Sequence, residues 1–268
     1  MVVFPNAKIN FGLNIVAKRA EGYHQIESIF YPIGIKDALE ISPGKSATTF
    51  NAYGLPIPGK TSENLILKAW EILQQRFNLP PVEIDLIKHI PMGGGVGGGS
   101  ADCGFFINLV NDFFSLKLSV TDRCSLAASL GSDCSFFIEN KAAYVTGRGE
   151  TLDVLPQFLA GYYLVLVYGG MHISTQEAYL GITPKPSETP LYELITESGS
   201  WQKKVHNHFE PVVFGKFPEL RKIKEELVSC GAVYASLSGT GSCLYGIYKE
   251  KPRLTSRLVS ICCWQGVL

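Results

Sequence analysis

Residues 91–100 read Pro-Met-Gly-Gly-Gly-Val-Gly-Gly-Gly-Ser, with glycine at six of the seven positions from 93 to 99. A chain that gives up side chains at so many successive positions loses folding entropy at each of them, so the run calls for a compensating role. Backbone N–H groups without neighbouring Cβ atoms can close around a phosphate, and a helix that follows adds its positive N-terminal end. Phosphate binding is the chemistry this composition serves. Two shorter elements carry groups that could join it. In Pro5-Asn-Ala-Lys-Ile-Asn-Phe-Gly12, Lys8 and Asn10 alternate with Ala7, Ile9 and Phe11, the spacing that turns Lys8 and Asn10 to one face of a strand and toward a cleft. Ser236-Leu-Ser-Gly-Thr-Gly-Ser242 is a second glycine-rich stretch, readable as a hairpin turn or as part of a site.

Other glycine-loop chemistries are disfavoured by what surrounds the run, the dinucleotide one staying open to a test of NAD binding. Gly93, Gly95 and Gly98 formally give G-x-G-x-x-G, but no acidic residue ends a second strand about 20 residues on, as a dinucleotide site requires. A P-loop places Lys after its last glycine, where this chain has Ser100-Ala101-Asp102. A protein-kinase loop would be accompanied by H-R-D and D-F-G, and neither occurs.

The loop has to be held between a strand and a helix. Val82, Ile84 and Leu86 alternate with polar neighbours ahead of it, and Phe105, Phe106, Leu109, Val110, Phe113 and Phe114 form a helical stripe behind it. Upstream, Leu65, Ile66, Ala69, Trp70, Leu73 and Phe77 predict a helix capped by Ser62 and stopped by Pro80-Pro81. Thr121 opens a predicted helix through Leu130, with Gly131 as its left-handed C-terminal residue. Further on, the pattern predicts a strand from Tyr162 to Val167, a helix from Thr175 to Leu180 and a Pro-rich loop from Thr183 to Pro190. A helix from Glu219 to Ser229 follows, with Gly231 behind it, then strands at Tyr234–Leu237 and Cys243–Tyr248. Strand and helix patterns on both sides of residues 150–160 predict an α+β chain of two domains, 1–155 and 156–268.

Composition sets the remaining bounds. Lys plus Arg and Asp plus Glu are both 24, so no net field draws the chain to nucleic acid or to an acidic membrane. The longest apolar stretch, residues 160–167, is far short of the roughly 18 residues of a membrane span. The start shows no signal peptide, which makes the cytoplasm the expected location. Seven scattered cysteines without C-x-x-C spacing or a Cys/His cluster read as small hydrophobes in a reducing compartment and assign no metal ligand.

Taken in chain order, Pro5-Asn-Ala-Lys-Ile-Asn-Phe11, the run 91–100 and Ser238-Gly-Thr-Gly-Ser242 resemble the motifs of the GHMP kinases, the superfamily of galactokinase, homoserine kinase and mevalonate kinase. More narrowly, PNAKINFGLNI with RAEGYHQIESIF is similar to members that phosphorylate the 2-hydroxyl of a cytidine diphosphate-linked methylerythritol in the non-mevalonate isoprenoid pathway. A kinase for another small alcohol, of the homoserine or mevalonate type, and a non-catalytic nucleotide-binding relative are the alternatives. The resemblance implies a two-domain GHMP kinase fold, with a ribosomal protein S5 domain 2-like N-terminal domain and a ferredoxin-like C-terminal domain. ATP and the small-molecule substrate would share the cleft between them, with Mg²⁺ as the second cofactor and the chain a monomer or weak homodimer.

By the same resemblance, the ATP phosphates would lie on Pro91, Met92, Gly93, Gly94, Gly95, Val96, Gly97, Gly98, Gly99 and Ser100, with Asn64 and Lys88 near the nucleotide. Lys8 and Asp133 would be the catalytic pair, Asp133 standing in Leu130-Gly-Ser-Asp-Cys-Ser-Phe136. A carboxylate within reach of the attacking hydroxyl and a cation beside it are what phosphoryl transfer asks of a protein. Tyr23 and His24 would contact the cytosine and Tyr179 its other face, while Asn10, Thr175 and Gly239 would serve the rest of the substrate. The chain departs from the family pattern at Ala101, which removes a hydroxyl after the glycine run, and at Val96, where leucine is usual.

Overall fold

The computed structural model describes residues 1–18 and 22–268; residues 19–21, the Arg-Ala-Glu that opens the RAEGYH segment, lie outside the described residues. The chain divides into two compact units, residues 1–7, 35–92 and 97–141 in the first and residues 8–34, 93–96 and 142–268 in the second. This differs from a single boundary at residue 155. Hydrogen bonding groups the N-terminal strands and the centre of the glycine run with the C-terminal residues, a long-range preference that composition along the chain does not reveal.

In the first unit, Val82, Ile84, Leu86 and Lys88 turn to the buried side of the strand Val82–Lys88, as period-two alternation requires. Ala38–Pro43 lies antiparallel to it, Leu39 opposite Leu86 and Ile41 opposite Ile84, and Thr49–Gly54 lies parallel on the other side. Val2–Val3 completes a four-stranded sheet. Helices α1 (Leu65–Phe77), α2 (Gly98–Phe113) and α3 (Val120–Leu130) supply Trp70, Leu73, Phe106, Ile107, Val110 and Ala127, which pack with Leu39, Ile41, Ile84 and Leu86 in one core. Burying each large apolar side chain contributes about 1.5–3 kcal/mol, which sets these helices against the sheet.

The helix ends differ from the sequence expectation. Asn64 Oδ1 accepts the Ile66 N–H at 2.9 Å, so Asn64 caps α1, while Ser62 lies in the short 3-10 turn Thr61–Glu63. The helix stops at Asn78, left-handed at φ 50°, before the prolines are reached. Ser119, not Thr121, opens α3: its Oγ accepts the Asp122 N–H at 3.1 Å and the Asp122 carboxylate accepts the Ser119 N–H, a reciprocal pair that satisfies two otherwise unpaired donors. Gly131 behind it is extended at φ −175°, not left-handed.

The second unit contains an antiparallel sheet in the order Tyr234–Leu237, Cys243–Tyr248, Tyr163–Tyr168, Cys262–Val267. Numbered along the chain this is strand two, three, one, four, with Pro218–Ser229 between the first and second strands and Ser256–Ile261 between the third and fourth. That is the ferredoxin-like arrangement expected of the C-terminal region. Leu220, Ile223, Leu227 and Leu258 bury against Val165, Val167, Ala235 and Leu244. A further sheet orders Asn6–Lys18, His24–Lys36, Ala143–Thr146 and Thr151–Val154. Among the described residues no helix is long and apolar enough to cross a membrane.

The two α3 starts are separable by mutation. Ser119→Ala is expected to lower stability by about 1 kcal/mol in urea unfolding, whereas Thr121→Ala, inside the helix and exposed, should stay within about 0.5 kcal/mol of the parent.

Candidate active site

Within the second unit the three glycine- and lysine-bearing motifs come together. Ser238 Oγ donates to the Gly95 carbonyl at 2.8 Å and accepts the Asn10 N–H at 3.3 Å. The Lys8 N–H reaches the Val96 carbonyl at 2.9 Å and the Cys243 N–H reaches the Gly94 carbonyl at 3.0 Å. Gly95 is left-handed at φ +75°, and a Cβ there would lie 2.0 Å from the Ser238 carbonyl oxygen, so no side chain fits. At Gly239, a Cβ would lie 3.1 Å from the Gly95 carbonyl oxygen and 3.5 Å from Asn10 Oδ1. Asn207 Nδ2 holds this turn by donating to the Leu237 and Gly239 carbonyls, each at 2.9 Å.

Lys8 and Asn10 are both only 2% exposed, so the strand is covered on both faces rather than on the apolar one alone. Lys8 Nζ donates to Asn10 Oδ1 at 2.5 Å and lies 4.0 Å from the centroid of the Phe30 ring. Asn10 Nδ2 in turn donates to Ser28 Oγ at 2.9 Å, and Ser28 Oγ to the Gly12 carbonyl at 2.6 Å. The chain of donors fixes the amide so that its oxygen faces the ammonium. A buried ammonium beside a fixed amide oxygen and an aromatic face is a cation that an anionic ligand can meet.

The aromatic candidates fall into two places in the same unit. His24 stacks on Tyr179 with ring centroids 4.8 Å apart and planes 25° from parallel, and Tyr179 meets Phe209 edge-on at 4.9 Å. Rings this close leave no room for a base between them, so His24 offers its edge nitrogens. Burial, with Lys18 nearby, holds its pKa below the ordinary value and favours the neutral ring. Tyr23 is exposed, with the Arg148 guanidinium carbon 5.0 Å from its ring centroid, a partner that sequence reasoning missed. Thr175 begins the helix Thr175–Leu180, its Oγ1 3.4 Å from Thr240 Oγ1 in the turn that holds Gly239.

The first unit holds the other half of the candidates. Helix α2 begins behind Gly97, which is left-handed and gives no side-chain cap, and its first turn carries no acidic residue. Its opening N–H groups and the positive end of a 16-residue helix are thereby left for an anion. Beside this turn lies a cavity of about 420 Å³ lined by Asn64, Lys88, Met92 and Gly99, together with Phe50, Ile57, Pro58, Lys60 and Asp102. Four sequence candidates thus share one mostly apolar slot of a size suited to a nucleobase and sugar. Phe50, Ile57 and Pro58 were not legible as lining, since their apolar pattern is the same as that of core residues.

Lys88 does not point its ammonium at the cavity contents. The side chain is buried and Nζ donates to Asp37 and, at 2.9 Å, to Asp102 Oδ2. Asp37 also accepts the His89 N–H at 2.5 Å and the Ile90 N–H at 2.8 Å. Asp133 sits half-buried in the turn between α3 and the short helix Phe136–Glu139.

Residues 64–141 match the GHMP kinases N terminal domain and residues 187–257 match GHMP kinases C terminal. The chain belongs to the GHMP kinase family. It is a small-molecule kinase of that ATP-dependent family. Relatives named 4-diphosphocytidyl-2-C-methyl-D-erythritol kinase include one from Porphyromonas gingivalis, 41% identical with both chains covered in full, and one from Bacteroides fragilis, 44% identical over 95% of this chain and 94% of the other. A crystal structure of 4-(cytidine 5'-diphospho)-2C-methyl-D-erythritol kinase superposes with a TM-score of 0.81 at 24% identity, covering 99% of this chain and 98% of that one. The Methanococcus jannaschii mevalonate kinase superposes at 0.68 and 14% identity, over 92% and 90% of the chains. The GHMP kinase fold therefore carries the glycine run, and in this chain Ser238 Oγ with the Lys8 and Cys243 N–H groups fixes its centre.

Gly95→Ala is expected to push the run off Ser238, lowering kcat/KM for ATP by about a hundredfold or more and the melting temperature by several degrees. Steady-state kinetics and a thermal melt check both.

Proposed function

We propose that this GHMP kinase transfers the γ-phosphoryl group of ATP to the 2-hydroxyl of 4-diphosphocytidyl-2-C-methyl-D-erythritol. The observation that carries the substrate is the full-length likeness to relatives of that name. The paired aromatic places at Tyr23 and at His24 with Tyr179 support it, since a cytosine asks for a ring to stack on and an edge to hydrogen-bond. Stacking on such a ring is worth about 1–3 kcal/mol.

In the reaction, the acceptor oxygen bonds to the γ-phosphorus as the bond from phosphorus to the β-bridging oxygen breaks, and ADP leaves with that electron pair. Asp133 takes the hydroxyl proton. Lys8, fixed by Asn10 and Phe30, supplies positive charge where negative charge gathers on the transferring group. The glycine run and the open first turn of α2 receive the phosphates, and the cavity lined by Asn64, Lys88 and Met92 receives the base. Mg²⁺ fits as a companion of the nucleotide: no cluster of three or more acidic, His or Cys side chains stands ready for a metal among the described residues, and Mg²⁺ at such sites is held by phosphates, water and one or two protein oxygens. Ser100, at the start of α2, would be the hydroxyl to supply one of them. The cysteines are all unpaired, which suits the reducing cytoplasm.

Release of ADP from MgATP tests the reading, with 4-diphosphocytidyl-2-C-methyl-D-erythritol, mevalonate and homoserine as acceptors. Turnover is expected with the first alone, and Asp133→Ala is expected to lower kcat by at least about a thousandfold while ATP affinity stays within about twofold. Turnover with mevalonate or homoserine instead would overturn the acceptor, and near-normal kcat in Asp133→Ala would remove that carboxylate from the reaction.

A further inference from the structure

The second unit holds a further cavity, of about 330 Å³, whose lining shares no residue with the glycine run or with the stacked His24 and Tyr179. Three places in the chain line it: Asn14 on the strand Asn6–Lys18, the loop from Lys185 to Leu191, and the segment with Lys204, His206 and His208. Leu13 and Ile15 belong to the apolar core against which Tyr179 packs, so alternation turns Asn14 to the opposite face of the strand. Backbone bonds hold the three places together. The Leu13 N–H reaches the His206 carbonyl and the His208 N–H the Leu13 carbonyl, each at 2.8 Å, and the Lys185 N–H reaches the Ile15 carbonyl at 2.9 Å. Glu27 fixes the polar floor by accepting from Asn14 Nδ2, Ser187 Oγ and the Leu191 N–H, with Tyr144 OH as a fourth donor.

Among the described lining residues Glu188 is the one carboxylate, against two lysines and two histidines. Lys185 pairs with Glu188 at 3.2 Å and Lys204 with Glu197 at 3.4 Å, and all four side chains are exposed. Exposed pairs of this kind contribute about 0.2–1 kcal/mol and give way to a better anion. His208 is set as a donor by its other nitrogen. Its Nδ1 accepts the Ile15 N–H at 3.1 Å, so the proton of the neutral ring sits on Nε2. The ring is pressed toward that neutral form by burial first and then by its positive neighbours, His206 and Lys185, each with a larger effect than the opposing one of Glu27.

We propose that this cavity is a second anion site, taking a small molecule whose phosphate or diphosphate group is held by Lys185, Lys204, His206 and the Nε2–H of His208. Four donors on two segments that backbone bonds fix to one strand match the several oxygens and multiple charge of a phosphate group. The buried Leu191, with Leu194 and Pro186, gives the rest of the lining an apolar surface, so the ligand has a small organic part beside its phosphate. The site stands apart from the proposed reaction, which sends neither ATP nor acceptor into it.

The histidine rings supply the test. The chain has five histidines, and His172 reports on the glycine run, its Nδ1 lying 3.1 Å from where a Cβ on Gly93 would stand. Ring resonances of the full chain are followed by NMR during titration with inorganic diphosphate at constant pH, with sodium chloride of equal ionic strength as the reference. His206 and His208 are expected to shift together and saturably, with half-saturation at or below about 1 mM. Lys185→Gln and Lys204→Gln, exposed positions where folding is not at stake, are each expected to weaken that binding by at least about fivefold while kcat/KM for ATP stays unchanged. Shifts that sodium chloride reproduces, or that the double variant Lys185→Gln/Lys204→Gln keeps with the same half-saturation, overturn the proposal. So does silence of His206 and His208 up to about 20 mM diphosphate, and a shift at His172 alone then assigns the anion to the glycine run.

Discussion

The 2.8 Å bond from Ser238 Oγ to the Gly95 carbonyl is possible only because residue 95 has no side chain, and much of the second unit is arranged around it. The same hydroxyl accepts the Asn10 N–H, and Tyr245 OH donates to the Asn10 carbonyl at 2.6 Å, so the strand with Lys8 and Asn10, the glycine run and the C-terminal turn are fastened to one another at a single buried point. Each bond contributes only about 0.5–1.5 kcal/mol net, yet an unmade one leaves a buried donor or acceptor that costs about 1–3 kcal/mol. Residues 10, 95 and 238 are therefore fixed as a group. The loss of chain entropy at the glycines is offset by placing three backbone segments closer than side chains would permit.

How much of this the sequence disclosed depended on the range of the interaction that decides each feature. Pro218–Ser229, Thr175–Leu180, Tyr234–Leu237 and Cys243–Tyr248 are set by local apolar spacing and fall within a residue of expectation. Helix starts are set by which side chain reaches an N–H, so Asn64 and Ser119 displaced the equally suitable-looking Ser62 and Thr121. The three site motifs were legible as residue types in order. Their joining through Ser238 was not, because a serine beside glycine in a turn carries no mark of what its hydroxyl will meet 143 residues away.

Lys88 shows the same limit on one side chain. Alternation with Val82, Ile84 and Leu86 already places it on the buried face, and a buried lysine requires a counter-charge. The sequence could not say which of many acids answers, since Asp37 is 51 residues away and Asp102 is 14. Resemblance put Lys88 near nucleotide, and the structure places it in the lining of a cavity with Asn64 and Met92 while turning its charge inward to the helix start.

Donor supply, rather than burial, decides what a buried acid does in this protein. Glu27 is 4% exposed, and burial alone would raise its pKa as it does for Asp102. Glu27 instead accepts from Ser187, from Asn14 at 3.0 Å, from the Leu191 N–H at 2.8 Å and from Tyr144 OH at 2.8 Å, and these donors outweigh burial and hold it below the ordinary value. It thereby ties residues 187–191, the end of the Pro-rich loop, to the strand His24–Lys36 that also carries His24. The signs of the two linkages oppose one another. A lowered folded-state pKa makes the Glu27 contribution present above its unfolded value and lost as pH falls, so acid loosens the loop anchor. A raised one makes the Asp102 contribution largest at low pH and lost as pH rises toward the shifted value. A carboxylate with four donors therefore serves as a fastener, and one with a single donor and an empty oxygen is left with the cost of its burial.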